Sequence, residues 1–211
     1  MGNQSGYRKI AVRKHEMKNE AKKNLLSLRS EAEKCKRCGL YKTRKNVVFG
    51  VGPPTADVMI VSEAPGFFED KSGVPFVGAA GKNLNALLFE AGLTREEVYI
   101  ANTIKCRPPQ NRDPLPDEVE ACRPFLEGQI SAIKPKLVVA LGRIAAGELL
   151  GRTVTMGKEH GTLLDCIYAG TGFKLFLTYH PAAGIYSGRM KLELQADFKK
   201  LREVLKALSN R

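Results

Sequence analysis

The sequence predicts an α/β fold with three layers, α/β/α, around a central four-stranded parallel sheet, because four short apolar runs alternate with helical patterns. The runs are Val58–Ser62, Val98–Asn102, Leu137–Leu141 and 175–179. Their near-continuous apolar content is what a strand covered on both faces requires. Between them, residues 80–91 keep Leu84, Leu87 and Leu88 on one helical face. Residues 117–133 do the same with Val119, Phe125 and Leu126, and Pro124 is expected to disturb the middle of that helix. Arg143–Leu150 and 192–208 complete the strand–helix alternation that builds a parallel sheet.

A chain of 211 residues, 43% of them hydrophobic, suffices for one buried core. Without a repeat or a Gly/Ser linker, the expected division is a basic polar extension over residues 1–23 and one domain over 24–211. The 34 Lys and Arg against 22 Asp and Glu leave a net charge of +12. That field favours polyanions, either nucleic acid or an anionic membrane surface. No apolar run approaches the roughly 20 residues of a membrane span, and the first thirty residues lack the apolar core of a secretory signal. The expectation is a monomer with no membrane partner, acting in the cytoplasm and associated with the nucleoid.

Open parallel sheets bind ligands just beyond the carboxyl ends of their strands. The polar residues there are Glu63, Asn102, Arg143 after Gly142, and His180. A Glu, an Asn and a His at one sheet edge make an acid/base and hydrogen-bonding set without a nucleophilic Ser or Cys, which disfavours covalent hydrolase chemistry. The turn after the first run, residues 62–78, is rich in Gly and Pro, which lets backbone approach a ligand closely, and Phe76 after Pro75 offers a flat ring. Neither G-x-G-x-x-G nor G-x-x-x-x-G-K-[ST] occurs, so dinucleotide and ATP binding lack their usual loop.

Cys35, Cys38, Cys106 and Cys122 are spaced C-x2-C-x67-C-x15-C. Four thiolates can complete one tetrahedral ion site or hold one cubane cluster, and spacing leaves both open, the wide second pair leaning towards a cluster. Cys166, within LLDCIY, reads as a small core residue. Arg107, Arg112 and Arg123, interleaved with Pro108, Pro109, Pro114 and Pro116, suit a stiffened loop that holds a phosphate backbone.

Taken together, SEAPGFFEDKSGVPFVGAAGKNLNALL, YIANTIKCRPP, LVVALG and TYHPAA, in that order, resemble the family 4 uracil-DNA glycosylases over roughly residues 35–205. The resemblance implies removal of uracil from single- or double-stranded DNA and a structural four-iron, four-sulfur (4Fe-4S) cluster on Cys35, Cys38, Cys106 and Cys122. It implies that Phe76 stacks on the base, that the Asn102 amide contacts the N3 and O4 edge of uracil, and that Glu69 fills the space of a thymine methyl. Ser62, Ala64 and Asp70 belong to the same substrate region. His180 resembles the histidine that steadies the leaving base through O2, and Glu63 stands where a carboxylate orients water and offsets a sugar cation. Residues 181–189 resemble a loop that pushes into DNA, with Ile185 or Tyr186 as wedge and Arg189, like Arg107 and Arg112, for phosphate.

The chain departs from the pattern at three places. Family 1 relatives carry Asp where Ala64 stands, many relatives have Ser where Ala182 stands, and Gly rather than Ser62 opens their first motif. Two rival readings are a non-catalytic four-cysteine nucleic-acid binding module, and a glycosylase-like protein trapped covalently on uracil DNA. The second needs a His in a loop after the first motif, whereas the histidines here are His15, His160 and His180.

Overall fold

The structure is a computed structural model that describes residues 4–209, with side chains from residue 16 onward. The start of the basic N-terminal segment therefore lies outside the described residues. Strands β1 (Val58–Ser62), β2 (Val98–Asn102), β3 (Leu137–Leu141), β4 (Leu163–Tyr168) and β5 (Thr171–Thr178) form one sheet in the order β2-β1-β3-β5-β4. The pairs β1–β2, β1–β3 and β3–β5 are parallel, as the apolar runs predict.

The fifth strand is the departure from the expected four. β4 pairs antiparallel with β5 through a hairpin that turns at Ala169 and Gly170, both at positive φ. Two such residues in succession match the twist of the flanking strands. β4 escapes the apolar-run criterion because it is an edge strand with Asp165 in its middle and with Leu163 and Ile167 exposed. Cys166 is buried there, as expected of a core residue, and its thiol donates to Leu149 O at 3.3 Å.

Alternation along each buried strand feeds two cores. From β1, Met59 and Val61 face one side while Val58 and Ile60 face the other, and β2 and β3 divide in the same way. The first side is covered by α1 (Gln4–Lys34), α4 (Pro116–Ile133) and α5 (Arg143–Leu150). The second is covered by α3 (Ala79–Glu90) and α8 (Gly188–Ser209). Helix α1 runs unbroken across residue 23, with Ala21, Leu25 and Ala32 buried. Where it meets α4, the Leu28 side chain packs over Gly128, with Cδ1 2.7 Å from where a Cβ would stand. Pro124 does not interrupt α4, which stays helical over all 18 of its residues although the proline has no N–H to donate. Short helices α2 (Phe67–Ser72), α6 (Met156–Glu159) and α7 (Ala183–Tyr186) lie in the connections. Among the described residues no helix is long and apolar enough to cross a membrane.

Candidate active site at the strand ends

Ser62 of β1 and Asn102 of β2 are paired in the parallel register, so the two strands end side by side. The chain leaving β2 is tied to the chain leaving β1, since Thr103 N donates to Ser62 O at 2.7 Å and Ile104 N to Glu63 O at 3.1 Å. Asn102 is held from below as well. The ammonium of Lys105, itself buried, donates to Asn102 O at 2.5 Å and to Gln129 Oε1 at 2.6 Å. Burial pushes the Lys105 ammonium down to about 8, the nearby thiols pulling the other way. The Asn102 side chain is 2% exposed, lines the cavity beyond the strand ends, and makes no hydrogen bond to protein among the described residues. An amide that faces a cavity and is unused by the protein is suited to a ligand edge.

That cavity, of about 470 Å³, also has Glu63, Glu69, Phe76 and His180 on its wall. Phe76 sits at φ 54°, a conformation that costs a non-glycine residue about 1–3 kcal/mol, so its surroundings must impose it. Three contacts do so. Glu69 Oε1 accepts from Val77 N at 3.0 Å and Gly78 N at 3.2 Å, just past Phe76. The Arg95 guanidinium donates to Pro75 O. Gly81 backs the turn so closely that a Cβ there would be 1.9 Å from Phe76 O. The ring so placed stacks on the His180 imidazole, centroids 5.6 Å apart and planes 24° apart.

His180 follows β5. Ala182 N donates to its Nδ1 at 3.1 Å, so the neutral ring carries its proton on Nε2. Burial pushes the imidazole down to about 4, with Glu69 opposing. Glu63 is shifted the other way, above the usual carboxylate range. Burial and the neighbouring Asp113 disfavour its charge, and Arg143 partly offsets them.

Of the other residues singled out from sequence, Ala64, Arg112, Ile185 and Tyr186 also line the cavity, the last two exposed at its mouth. The Arg112 guanidinium is engaged, donating to both Glu118 oxygens at 2.8 and 2.6 Å. Arg107 donates to Asn111 Oδ1 at 2.7 Å, and Arg189 to Glu193 Oε1 at 2.8 Å. Ser62 and Asp70 are buried off the wall. The Ser62 hydroxyl has no partner among the described residues, whereas the Asp70 carboxylate accepts from Lys45 N at 2.9 Å and so anchors α2. Sequence reasoning missed the Glu69 clamp, the Lys105 support and the exposed rings of Phe67 and Phe68. Only the last were visible in the sequence, as adjacent aromatics in a turn.

Cys35, Cys38, Cys106 and Cys122 surround a second, small cavity between the end of α1, the loop after β2, and α4. Three N–H groups point at the sulfurs: Arg44 Nη1 to Cys106 at 3.2 Å, Lys105 N to Cys122 at 3.2 Å, and Arg37 N to Cys35 at 3.5 Å. Burial raises the Cys38 and Cys106 thiols and pushes Cys122 up to about 11. Among the described residues no three His, Cys, Asp or Glu side chains gather closely enough for a single metal ion.

A buried amide, a neutral histidine and a clamped aromatic thus share one cavity at the carboxyl edge of the parallel strands. The chain belongs to the uracil DNA glycosylase superfamily, whose model matches residues 49–208. It is 44% identical over 178 residues to the Type-4 uracil-DNA glycosylase of Archaeoglobus fulgidus, covering 82% of this chain and 89% of that protein. It is 43% identical to the Type-4 enzyme of Saccharolobus solfataricus, covering 86% of this chain and 87% of that one. The Type-5 uracil-DNA glycosylase of Pyrobaculum aerophilum is more distant, at 31% identity over 82% of each chain. Within the superfamily the chain thus falls in the type-4 group.

His180 makes stability depend on pH. The folded protein keeps the ring neutral down to about pH 4, whereas the unfolded chain takes up the proton near 6.5, so stabilisation is complete above 6.5 and is lost as pH falls to 4. The difference amounts to about 3 kcal/mol. Urea unfolding at pH 7 and pH 4 should show the wild type losing about that much more than His180→Gln; equal losses would contradict the assignment.

Proposed function

We propose that the protein excises uracil from DNA by hydrolysing its N-glycosidic bond, the opening step of base excision repair. The observation that carries the reading is the buried, unpartnered amide of Asn102 sharing one cavity with the stacked Phe76 and His180 rings. Superfamily membership supports it. A base inside a duplex must leave the stack to be cut, so the nucleotide is flipped into the cavity. Phe76 takes the face of the ring. The Asn102 amide accepts from N3–H and donates to O4; cytosine, with a donor in place of O4, leaves a buried group unpaired and is rejected. Glu69, fixed by the amides of residues 77 and 78, is a rigid wall that suits excluding the C5 methyl of thymine.

Bond breakage puts positive charge on the sugar and negative charge on the departing base. His180 donates its Nε2–H to O2 as that negative charge builds. Being neutral beforehand, it does so without a buried cation in the resting enzyme. The Glu63 carboxylate orients the water that bonds to C1′ and offsets the sugar cation, so it must be ionised. Ile185 and Tyr186 at the cavity mouth suit wedging between bases, and Arg107, Arg112 and Arg189 suit phosphates of single- or double-stranded substrate.

Cys35, Cys38, Cys106 and Cys122 would hold a 4Fe-4S cluster. Four thiols around a cavity, without closing on one point, fit a group whose ligands bind separate irons better than they fit a zinc ion with sulfurs about 2.3 Å away. The N–H groups and nearby cations suit thiolates that burial alone would protonate. When bound, the group supplies four Fe–S bonds that cross-link the end of α1, the loop after β2, and α4. Purified protein should therefore contain iron and sulfide, and Cys122→Ser should lower its melting temperature far more than Cys166→Ser. Zinc in their place, or equal effects, would contradict this.

Catalysis is tested by base release from a uracil-containing oligonucleotide, single-stranded and opposite guanine. Strand breakage should follow only after alkali, and kcat/KM should rise with pH through an acid limb above the usual carboxylate range. Glu63→Gln should lower the rate about a hundredfold or more and abolish that limb. An active Glu63→Gln would remove Glu63 from the mechanism; no release at all by the wild type, despite tight DNA binding, would favour a binding module.

A further inference from the structure

Helix α2 opens on two phenylalanines to which neither the core nor the contacts proposed for uracil give a role. Phe67 is 47% exposed and Phe68 61%, and their rings meet edge to face with centroids 5.4 Å apart. The helix is anchored through the buried carboxylate of Asp70, so the exposed rings are not what secures it. Both rings lie on the wall of the strand-end cavity. Two cations close on Phe67, the Arg107 guanidinium carbon at 5.2 Å and Lys45 Nζ at 5.8 Å from its centroid. Lys45 is fixed relative to α2, since its backbone N–H is bonded to Asp70. Apolar rings left in water and bordered by positive charge are the two components of a single-strand nucleic-acid site, a stacking platform and a phosphate contact.

The geometry points to a second base subsite: Phe67 and Phe68 stack an unpaired nucleobase adjacent to the flipped one on the same strand, and Lys45 with Arg107 holds the phosphate between them. The inference rests on the reading of the strand-end cavity as the uracil pocket and adds a contact on its wall beyond those to uracil. The same strand is specified because the rings share a wall with that pocket. The covalently adjacent nucleotide is thereby within reach, whereas the base opposite belongs to the far side of the duplex. Charge selects a nucleic-acid base over an uncharged aromatic ligand, since the platform's border is cationic and the chain carries +12 overall.

The test is fluorescence anisotropy with oligonucleotides carrying 2′-fluorodeoxyuridine, which binds without being cut. The intact single strand is compared with strands bearing an abasic spacer 5′ or 3′ to the uracil, and with a duplex bearing the spacer opposite it. For the wild type, one flanking spacer should weaken binding about tenfold, the worth of a stacked base, and the opposite spacer should not. The double variant Phe67→Leu, Phe68→Leu should bind the intact strand about tenfold more weakly and no longer sense the flanking spacer. Both side chains are exposed, so its melting temperature should match the wild type. Independently, Lys45→Gln should flatten the slope of log Kd against log salt by about 0.7, one single-strand phosphate. A double variant that still senses the flanking spacer, sensitivity confined to the opposite-strand spacer, or an unchanged salt slope for Lys45→Gln would overturn the subsite. Wild-type binding indifferent to uracil or thymine in the pocket position would instead overturn the pocket reading, and the subsite with it.

Discussion

The parallel register of β1 on β2 is the constraint on which the rest of the site depends. It ends both strands together, at Ser62 and Asn102, over a sheet whose two faces are filled by side chains. The first polar groups past the core therefore appear side by side at one edge. Backbone bonds from Thr103 and Ile104 back to residues 62 and 63 keep the exits joined, and the Lys105 ammonium closes the arrangement beneath Asn102. A buried amide placed in this way is organised before any ligand arrives, which is the condition for strong discrimination between bases that differ by one donor or acceptor.

Stability and function compete at Phe76. Its left-handed backbone costs free energy that the Glu69 clamp, the Arg95 contact and the absent side chain of Gly81 together offset. The result is a ring standing on His180, and the same crowding keeps that histidine neutral. Glu63, on the wall of the same cavity, is burdened in the opposite sense, its proton held more tightly. Environments that push a histidine and a carboxylate in opposite directions within one cavity are characteristic of acid/base sites.

Much of this was legible in the sequence. Near-continuous apolar runs identify β1, β2 and β3, and the strand-end rule then selects Glu63, Asn102, Arg143 and His180, of which the structure gathers all but Arg143, paired instead with Asp113, in one cavity. What was hidden depended on long-range geometry or on weak local signals. β4 alternates and carries Asp165, so it lacks the signature of a doubly covered strand, and α4 tolerates Pro124 because tertiary packing outweighs one lost hydrogen bond. The resemblance places Glu69 beside the base, but nothing in the sequence shows that the amides of residues 77 and 78 fix it there. Lys105, between an apolar residue and a cysteine, gives no sign that its ammonium is buried against Asn102 and Gln129.

The central claim is that a pre-placed Asn102 amide reads the base. Its most direct test is the single-turnover rate of uracil release by Asn102→Ala against wild type, alongside the melting temperature of each. The account predicts a fall of about a hundredfold or more at an essentially unchanged melting temperature, because the amide makes no hydrogen bond to protein among the described residues. A rate within a few-fold of wild type would contradict it and assign the reading of uracil to another group.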